Sequence, residues 1–90
     1  MERINGYSEK FTIKKDGVTY NCVVDMIGRY DKDGEFLYDI TLSDDERNYS
    51  VGMFSMPIYQ PSFGMMADGD IMKMAIDRAP DYIEELVKMY

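Results

Sequence analysis

The feature that most constrains the fold is a change in the period at which apolar residues recur. Between Ser8 and Ser55 apolar and polar residues alternate with period two, which predicts half-buried β-strands. Between Met72 and Tyr90 the apolar residues recur at helical spacing, which predicts an amphipathic helix. The sequence therefore predicts a sheet that buries one face against a carboxyl-terminal helix.

Turn sequences divide the alternating part into four strands. Asp16-Gly17 suits a two-residue hairpin turn with positive φ, Asp31-Lys32-Asp33-Gly34 supplies a second turn, and residues 43–46 form a polar connection. Links this short predict antiparallel pairing of successive strands. We expect Gly28 to mark a bulge or bend in the second strand. The inward-facing residues are predicted to be Tyr7, Phe11, Ile13, Val18, Tyr20, Cys22, Val24, Met26, Phe36, Tyr38, Ile40, Leu42, Tyr49, Val51 and Met53.

The helical part contains Pro80, which removes a backbone donor and crowds the preceding turn. We expect a kink near Ala79 or two short helices, with Asp68 or Asp70 capping the start. The predicted fold class is α+β, in which a four-stranded antiparallel β-meander has a carboxyl-terminal helix, kinked or split at Pro80, packed on one face. Residues 1–90 are predicted to form a single domain.

Charge is distributed unevenly along the chain, whose net charge is −7. Residues 1–30 have a balance of +1 and residues 31–90 a balance of −8. A field of this sign repels nucleic acid and anionic membranes and attracts basic protein surfaces. The expected partner is therefore a protein with a basic surface, with no direct nucleic-acid binding and no membrane partner. An amino terminus without a secretory signal predicts a cytoplasmic location.

The sequence contains no recognisable catalytic or metal-binding motif. Histidine is absent, and the one cysteine, Cys22, is predicted to be a buried packing group. The turn at residues 31–35 resembles a calcium loop only in part, because an EF-hand alignment places Arg29 and Ile40 at its first and twelfth ligand positions. We therefore expect neither an enzyme nor a cofactor or metal ion.

The segment from Met53 to Met66 is apolar, rich in methionine and without evident secondary structure. Such a loop either seals one end of the core or presents an exposed contact surface. Methionine adapts to irregular surfaces, and aromatic residues dominate interface hot spots. The candidate contact residues in this segment are Met56, Tyr59, Phe63, Met65 and Met66.

Acidic residues on either side of this segment are the other candidates for partner binding. They are Asp31, Asp33, Glu35, Asp39, Asp44, Asp45, Glu46, Asp68 and Asp70. Carboxylates around an aromatic patch would match a basic nucleic-acid channel of another protein. The expected function is a non-enzymatic binding module, most concretely a phage-type or immunity-type inhibitor of the anti-CRISPR or anti-restriction kind. The alternative is a homo-oligomeric accessory or small-ligand-binding protein that uses the methionine-rich segment as its interface or pocket.

Overall fold

The computed structural model describes residues 6–57, 59–60, 64–65 and 67–89, and for 59–60 and 64–65 the backbone alone. Four long strands are followed by a short hairpin and by a helical segment in three pieces. The strands are β1 (Gly6–Lys15), β2 (Val18–Tyr30), β3 (Phe36–Asp44), β4 (Ser50–Pro57), β5 (Tyr59–Gln60) and β6 (Gly64–Met65). The helices are α1 (Asp68–Arg78), a 3-10 turn (Ala79–Asp81) and α2 (Ile83–Val87).

The main sheet has the order β1-β2-β3-β4, and every neighbouring pair is antiparallel. The predicted meander is thereby confirmed. Asp16 and Gly17 join β1 to β2 with φ values of 53° and 78°, the positive values that the hairpin turn requires. β5 and β6 pair only with each other, as a separate two-stranded sheet.

The core lies between one face of the main sheet and the helical segment. α1 packs against β2, and α2 packs against β3 and β4. Burial of these apolar side chains supplies most of the favourable free energy of folding. The buried residues of this cluster are Ile13, Cys22, Val24, Met26, Tyr38, Ile40, Leu42, Val51, Met53, Ile71, Met72, Ala75, Ala79, Ile83 and Leu86. We call this face of the sheet the helix face and the opposite one the open face.

The helical segment is split at Pro80, as the sequence predicts. α1 ends at Arg78, and the proline lies in the first turn of the 3-10 piece, where its missing N–H breaks no hydrogen bond of a continuing α-helix. The cap prediction was wrong: Ala67 occupies the N-cap, and no side chain caps it. Asp68 and Asp70 lie inside the first turn, where the helix dipole favours negative charge.

The fourth strand is longer than alternation suggests, and this corrects the prediction of a structureless segment beginning at Met53. β4 continues to Pro57, which a sheet edge tolerates because its missing N–H can point away from β3. The pairing with β3 shifts between Ile40 and Thr41, so Met53 is the extra residue of a bulge. Beyond the bulge the parity reverses, and Phe54 and Met56 also pack against the core.

Gly28 does not mark a bulge. Pairing of β2 with β3 is regular on both sides of this residue, which lies opposite Tyr38. Three of the predicted inward residues are exposed: Tyr7 and Val18 lie at strand ends, and Tyr49 precedes β4. Alternation along a strand therefore identifies the face of the sheet on which a residue lies. Whether that residue is buried depends on whether the helices extend over its position.

Candidate functional site

Four aromatic rings form a continuous row on the helix face at one end of the sheet. The register of β2 and β3 places Tyr30 opposite Phe36, and these rings meet edge to face with centroids 5.3 Å apart. Phe36 contacts Tyr38 at 5.3 Å, and Tyr38 contacts Tyr7 at 6.2 Å, both edge to face. Such contacts favour a fixed relative orientation of the rings. We call Tyr7, Tyr30, Phe36 and Tyr38 the aromatic row.

The row emerges from the core at both of its ends. Tyr38 is 1% exposed, whereas Tyr30 and Tyr7 are 54% and 42% exposed. The Phe36 ring lies over Gly28, where an added Cβ would come within 2.5 Å of Phe36 Cζ. Glycine thus provides the space in which the ring lies, and the row depends on this position.

The start of α1 is joined to the row through Asp68. The Tyr38 hydroxyl donates a hydrogen bond to Asp68 Oδ1 at 2.7 Å. A hydrogen bond to Asp68, with the charge of that carboxylate, raises the pKa of Tyr7. The bond from Tyr38 therefore places the amino-terminal end of α1 beside the aromatic row.

The turn between β2 and β3 brings further carboxylates to the same end. Asp31 Oδ1 accepts hydrogen bonds from the backbone N–H groups of Asp33 and Glu35, each at 2.9 Å, which confirms its turn-forming role. Asp33, Glu35 and Asp70 are exposed and form no ion pair with any other described residue. We call the carboxylates of Asp31, Asp33, Glu35, Asp68 and Asp70, together with the aromatic row, the acidic end.

The other acidic candidates lie elsewhere. Asp39 is on the open face, where it pairs with Arg29 at 2.5 Å and accepts a hydrogen bond from Ser55. A second group lies at or just beyond the opposite end of β3 and has its own partners. In this group Asp44 accepts from the Tyr49 N–H, Asp45 pairs with Lys10 and Glu46 accepts from Asn48. The nine acidic candidates therefore form no single surface.

Asp25 on the open face organises a polar network. Arg47 Nη2 lies 2.9 Å from Asp25 Oδ1, and the hydroxyls of Ser8 and Ser43 also donate to this carboxylate. Desolvation alone would raise the pKa of Asp25, but the hydrogen bonds from Arg47 and Ser8 and the charge of Arg47 outweigh it and lower the pKa. The network fixes the β3–β4 connection against β1 and β2.

We expect the Arg47→Ala variant to unfold at a higher pH than the wild type. Because the folded-state pKa of Asp25 is below the ordinary value of 3.8, its stabilisation is present above that value and is lost as pH falls through the folded-state pKa. Without Arg47, desolvation raises the pKa of Asp25. The stabilisation from Asp25 is then lost at a higher pH as the protein is titrated with acid. Circular dichroism against pH measures the midpoint.

The matched control is Lys10→Ala, which removes a cation from an ion pair of 3.6 Å whose side chains are both well exposed. Exposed pairs contribute little, so this midpoint should stay at the wild-type value. Equal midpoints for the Arg47→Ala variant and the wild type would show that the network does not control the acid transition.

The apolar candidates are described only in part. Met56 is half-buried and packs against the core from β4. Tyr59 and Met65 face each other in the backbone register of the β5–β6 hairpin, which connects the end of β4 to the start of α1. Phe63 and Met66 lie outside the described residues, as do the side chains of Tyr59 and Met65. Their proposed role in binding stays a prediction.

Other kinds of site find little support in the described part of the chain. No three carboxylate or thiol residues among residues 6–57 and 67–89 are grouped so as to hold a metal ion. A cavity of about 280 Å³ lies at the other end of the molecule, between Tyr20 and α2, with the Lys15–Glu84 ion pair among its lining residues. None of the described helices is both long and apolar enough to cross a membrane.

Comparison with known proteins adds no assignment. No protein-family model matches the sequence. No curated protein and no solved structure matches it at a significant level.

The aromatic row is the part of this site that inspection of the sequence missed. Tyr7, Phe36 and Tyr38 are predicted to face inward and Tyr30 is assigned to neither face, yet Tyr7 and Tyr30 are both exposed. One signal was available: Tyr30 and Phe36 flank the turn at residues 31–35, and pairing the strands across that turn sets them opposite each other. Cross-strand pairing, applied to aromatic residues beside an acidic turn, would have located the acidic end.

Proposed function

We propose that the protein is a non-enzymatic binding module whose acidic end occupies a basic, nucleic-acid-binding surface of a partner protein, in the manner of a phage-type or immunity-type inhibitor. The observation that carries this proposal is that exposed aromatic rings lie next to acidic side chains at this end of the sheet. Tyr30 directly precedes the acidic β2–β3 turn, and Tyr7 lies at the other end of the row, where Asp68 begins α1.

The distribution of ion pairs supports this choice of surface. On the open face, Asp25 and Asp39 are each paired with an arginine of the same chain. At the acidic end, Asp33, Glu35 and Asp70 have no cationic partner among the described residues, and Lys32 is the cation within the turn. Carboxylates without an internal partner are available to cations of another protein and steer it toward this end.

Aromatic rings supply apolar contact area, which charged groups alone do not provide. Interface hot spots are enriched in tyrosine, because its ring buries a large area and its hydroxyl finds polar partners. The row is also held in place before binding by its ring contacts and by the hydrogen bond from Tyr38 to Asp68. A surface ordered in advance loses less entropy when a partner binds.

The test compares two variants that remove equal charge from opposite ends of β3. Asp33→Asn with Glu35→Gln alters the acidic end, and Asp45→Asn with Glu46→Gln alters the other end. A partner captured from the native host is purified, and its binding to nucleic acid is measured with and without each form of the protein.

We expect the wild type and the Asp45→Asn, Glu46→Gln variant to inhibit nucleic-acid binding by the partner, with an effect that weakens as salt rises. The Asp33→Asn, Glu35→Gln variant should bind the partner about tenfold more weakly. Equal loss in both variants would refute the assignment to the acidic end. A stable homo-oligomer in light scattering, with no such partner, would instead favour the accessory-protein alternative.

A further inference from the structure

The two edges of the main sheet are built differently. At the β4 edge the pairing is interrupted by the bulge at Met53, and the strand ends at Pro57. Both features hinder the addition of another strand to that edge. β1 forms the opposite edge, contains no proline and pairs with β2 without interruption from Gly6 to Lys15. The β1 edge is therefore a regular one, to which an extended segment can add as a further strand.

The two-residue turn at residues 16–17 fixes which backbone groups of β1 point away from the sheet. It makes Lys15 and Val18 a hydrogen-bonded pair, so every second residue of β1 bonds to β2 and those between direct their N–H and C=O groups outward. The Asn21 carbonyl shows the same alternation, because it points away from β1 and accepts the Asp45 N–H at 3.0 Å. β1 pairs with no other described strand. The outward-directed residues are Gly6, Ser8, Lys10, Thr12 and Lys14.

We propose that this edge is occupied by a second copy of the chain. The two β1 strands pair antiparallel about a two-fold axis at Phe11, and the two four-stranded sheets become one continuous sheet. The edge is a different surface from the acidic end, so this inference goes beyond the proposed function and does not depend on it.

The charges of β1 favour this register over its neighbours. Opposite residues of a continuous sheet lie on the same face, so the axis must pass through a residue of each strand. An axis at Glu9 or at Lys10 sets that residue opposite its own copy, and an axis at Thr12 sets Lys10 of each copy opposite Lys14 of the other. Like charges directly opposite each other are destabilising. Of the registers that pair most of β1, the one with its axis at Phe11 alone avoids such pairs.

The same register extends the core across the interface. Phe11 is half-buried and packs against the core from the edge of the helix face. With the axis at this residue, the two Phe11 rings lie opposite each other, and each completes the burial of the other. On the open face each lysine lies opposite a residue that carries a hydroxyl. These pairs are Lys10 with Thr12 and Lys14 with Ser8.

The first test is light scattering over a dilution series of the wild type, Thr12→Pro and the control Thr19→Pro. The Thr12 N–H points outward, so proline removes a hydrogen bond of the interface and none of the pairing with β2. Thr19 is an exposed threonine of β2 that lies beyond the residues paired with β3, so its N–H is also outside the ladder. Circular dichroism checks that each variant keeps its sheet.

We expect the wild type and Thr19→Pro to form dimers of equal affinity. Thr12→Pro should dimerise at least about tenfold more weakly, because the two-fold axis removes its hydrogen bond twice. A wild type that remains monomeric at every concentration would overturn this inference, as would a folded Thr12→Pro variant that dimerises as tightly as the wild type.

The second test needs no proline and measures the register. Lys10→Cys and Thr12→Cys, both at exposed positions of the open face, are oxidised separately and as a mixture. Cys22 is 1% exposed and is common to all samples. The disulfide-linked dimer should form about tenfold faster in the mixture, because opposite residues lie within the range that a disulfide spans and diagonal ones lie at or beyond its limit. Faster cross-linking of Lys10→Cys alone would move the axis to residue 10, and of Thr12→Cys alone to residue 12; either result would overturn the inference.

Discussion

Replacing Ile40 by alanine should lower the free energy of unfolding by about 2–5 kcal/mol, the cost of deleting a fully buried branched side chain and leaving a cavity. Ile40 is 2% exposed and lies in the middle of β3, between Met26 on β2 and Phe54 on β4. A domain of this size has a total stability of roughly 5–13 kcal/mol, so this one change removes a large share of it. Urea denaturation followed by circular dichroism gives the value.

Ile27 provides the matched control, because it is the same residue type on the neighbouring strand but is half-buried on the open face. Ile27→Ala should lower the free energy of unfolding by no more than about 1 kcal/mol, because the Ile27 side chain buries a smaller apolar area. Similar losses in the two variants would mean that the open face is covered as thoroughly as the helix face, and the one-sided arrangement of the sheet would be wrong.

The Gly28→Ala variant should be destabilised by about 1–3 kcal/mol, although alanine is ordinarily the better residue in a strand by roughly 0.5–1 kcal/mol. The new methyl carbon would lie 2.5 Å from Phe36 Cζ and 3.3 Å from Tyr38 Cε1. The Phe36 ring cannot move aside freely, because its edge-to-face contacts with Tyr30 and Tyr38 hold it in place. Near-ultraviolet circular dichroism of the tyrosines should change along with the unfolding midpoint.

Gly52→Ala is the control for this substitution. Gly52 is also a strand glycine, in β4, but an added Cβ there meets nothing within 4 Å. The control should have wild-type stability or slightly more, because alanine restricts the unfolded chain. A neutral Gly28→Ala variant would show that the aromatic row rearranges easily, and the argument that it is ordered before binding would fail.

Local patterns were sufficient to predict most of the fold. Alternation predicted β1 to β3 and the start of β4, the Asp16-Gly17 pair predicted its hairpin, and Pro80 predicted the division of the helix. The failures arose where a nonlocal contact decides the conformation. The bulge at Met53 depends on the register with β3, and the reversed parity beyond it concealed the rest of β4. Gly28 was interpreted as a backbone irregularity because the ring that fills its space comes from another strand.

The candidate site was less predictable than the fold. The sequence identifies Asp31 and Asp68 as acidic residues near turns, but only the pairing of strands and the bond from Tyr38 bring them to one end. The same topology carries Asp44 to the other end, a separation that net charge does not reveal. Residues far apart in sequence meet through the register of a whole sheet, and a local pattern contains no information about that register.

Because Cys22 is buried, its reaction with thiol reagents follows the opening of the sheet in this tryptophan-free chain. The thiol is the chain's only one and is 1% exposed in β2, between Phe11 and Asp44 of the flanking strands. Burial, and then the negative charges of Asp44 and Asp45, raise the pKa of Cys22, so reagents that require an exposed thiolate react with it slowly in the native sheet. Alkylation of Cys22 therefore requires the sheet to open, and its rate reports how readily the sheet opens. Each alkylated molecule gains the mass of one reagent group, and mass spectrometry detects this gain in an unpurified lysate.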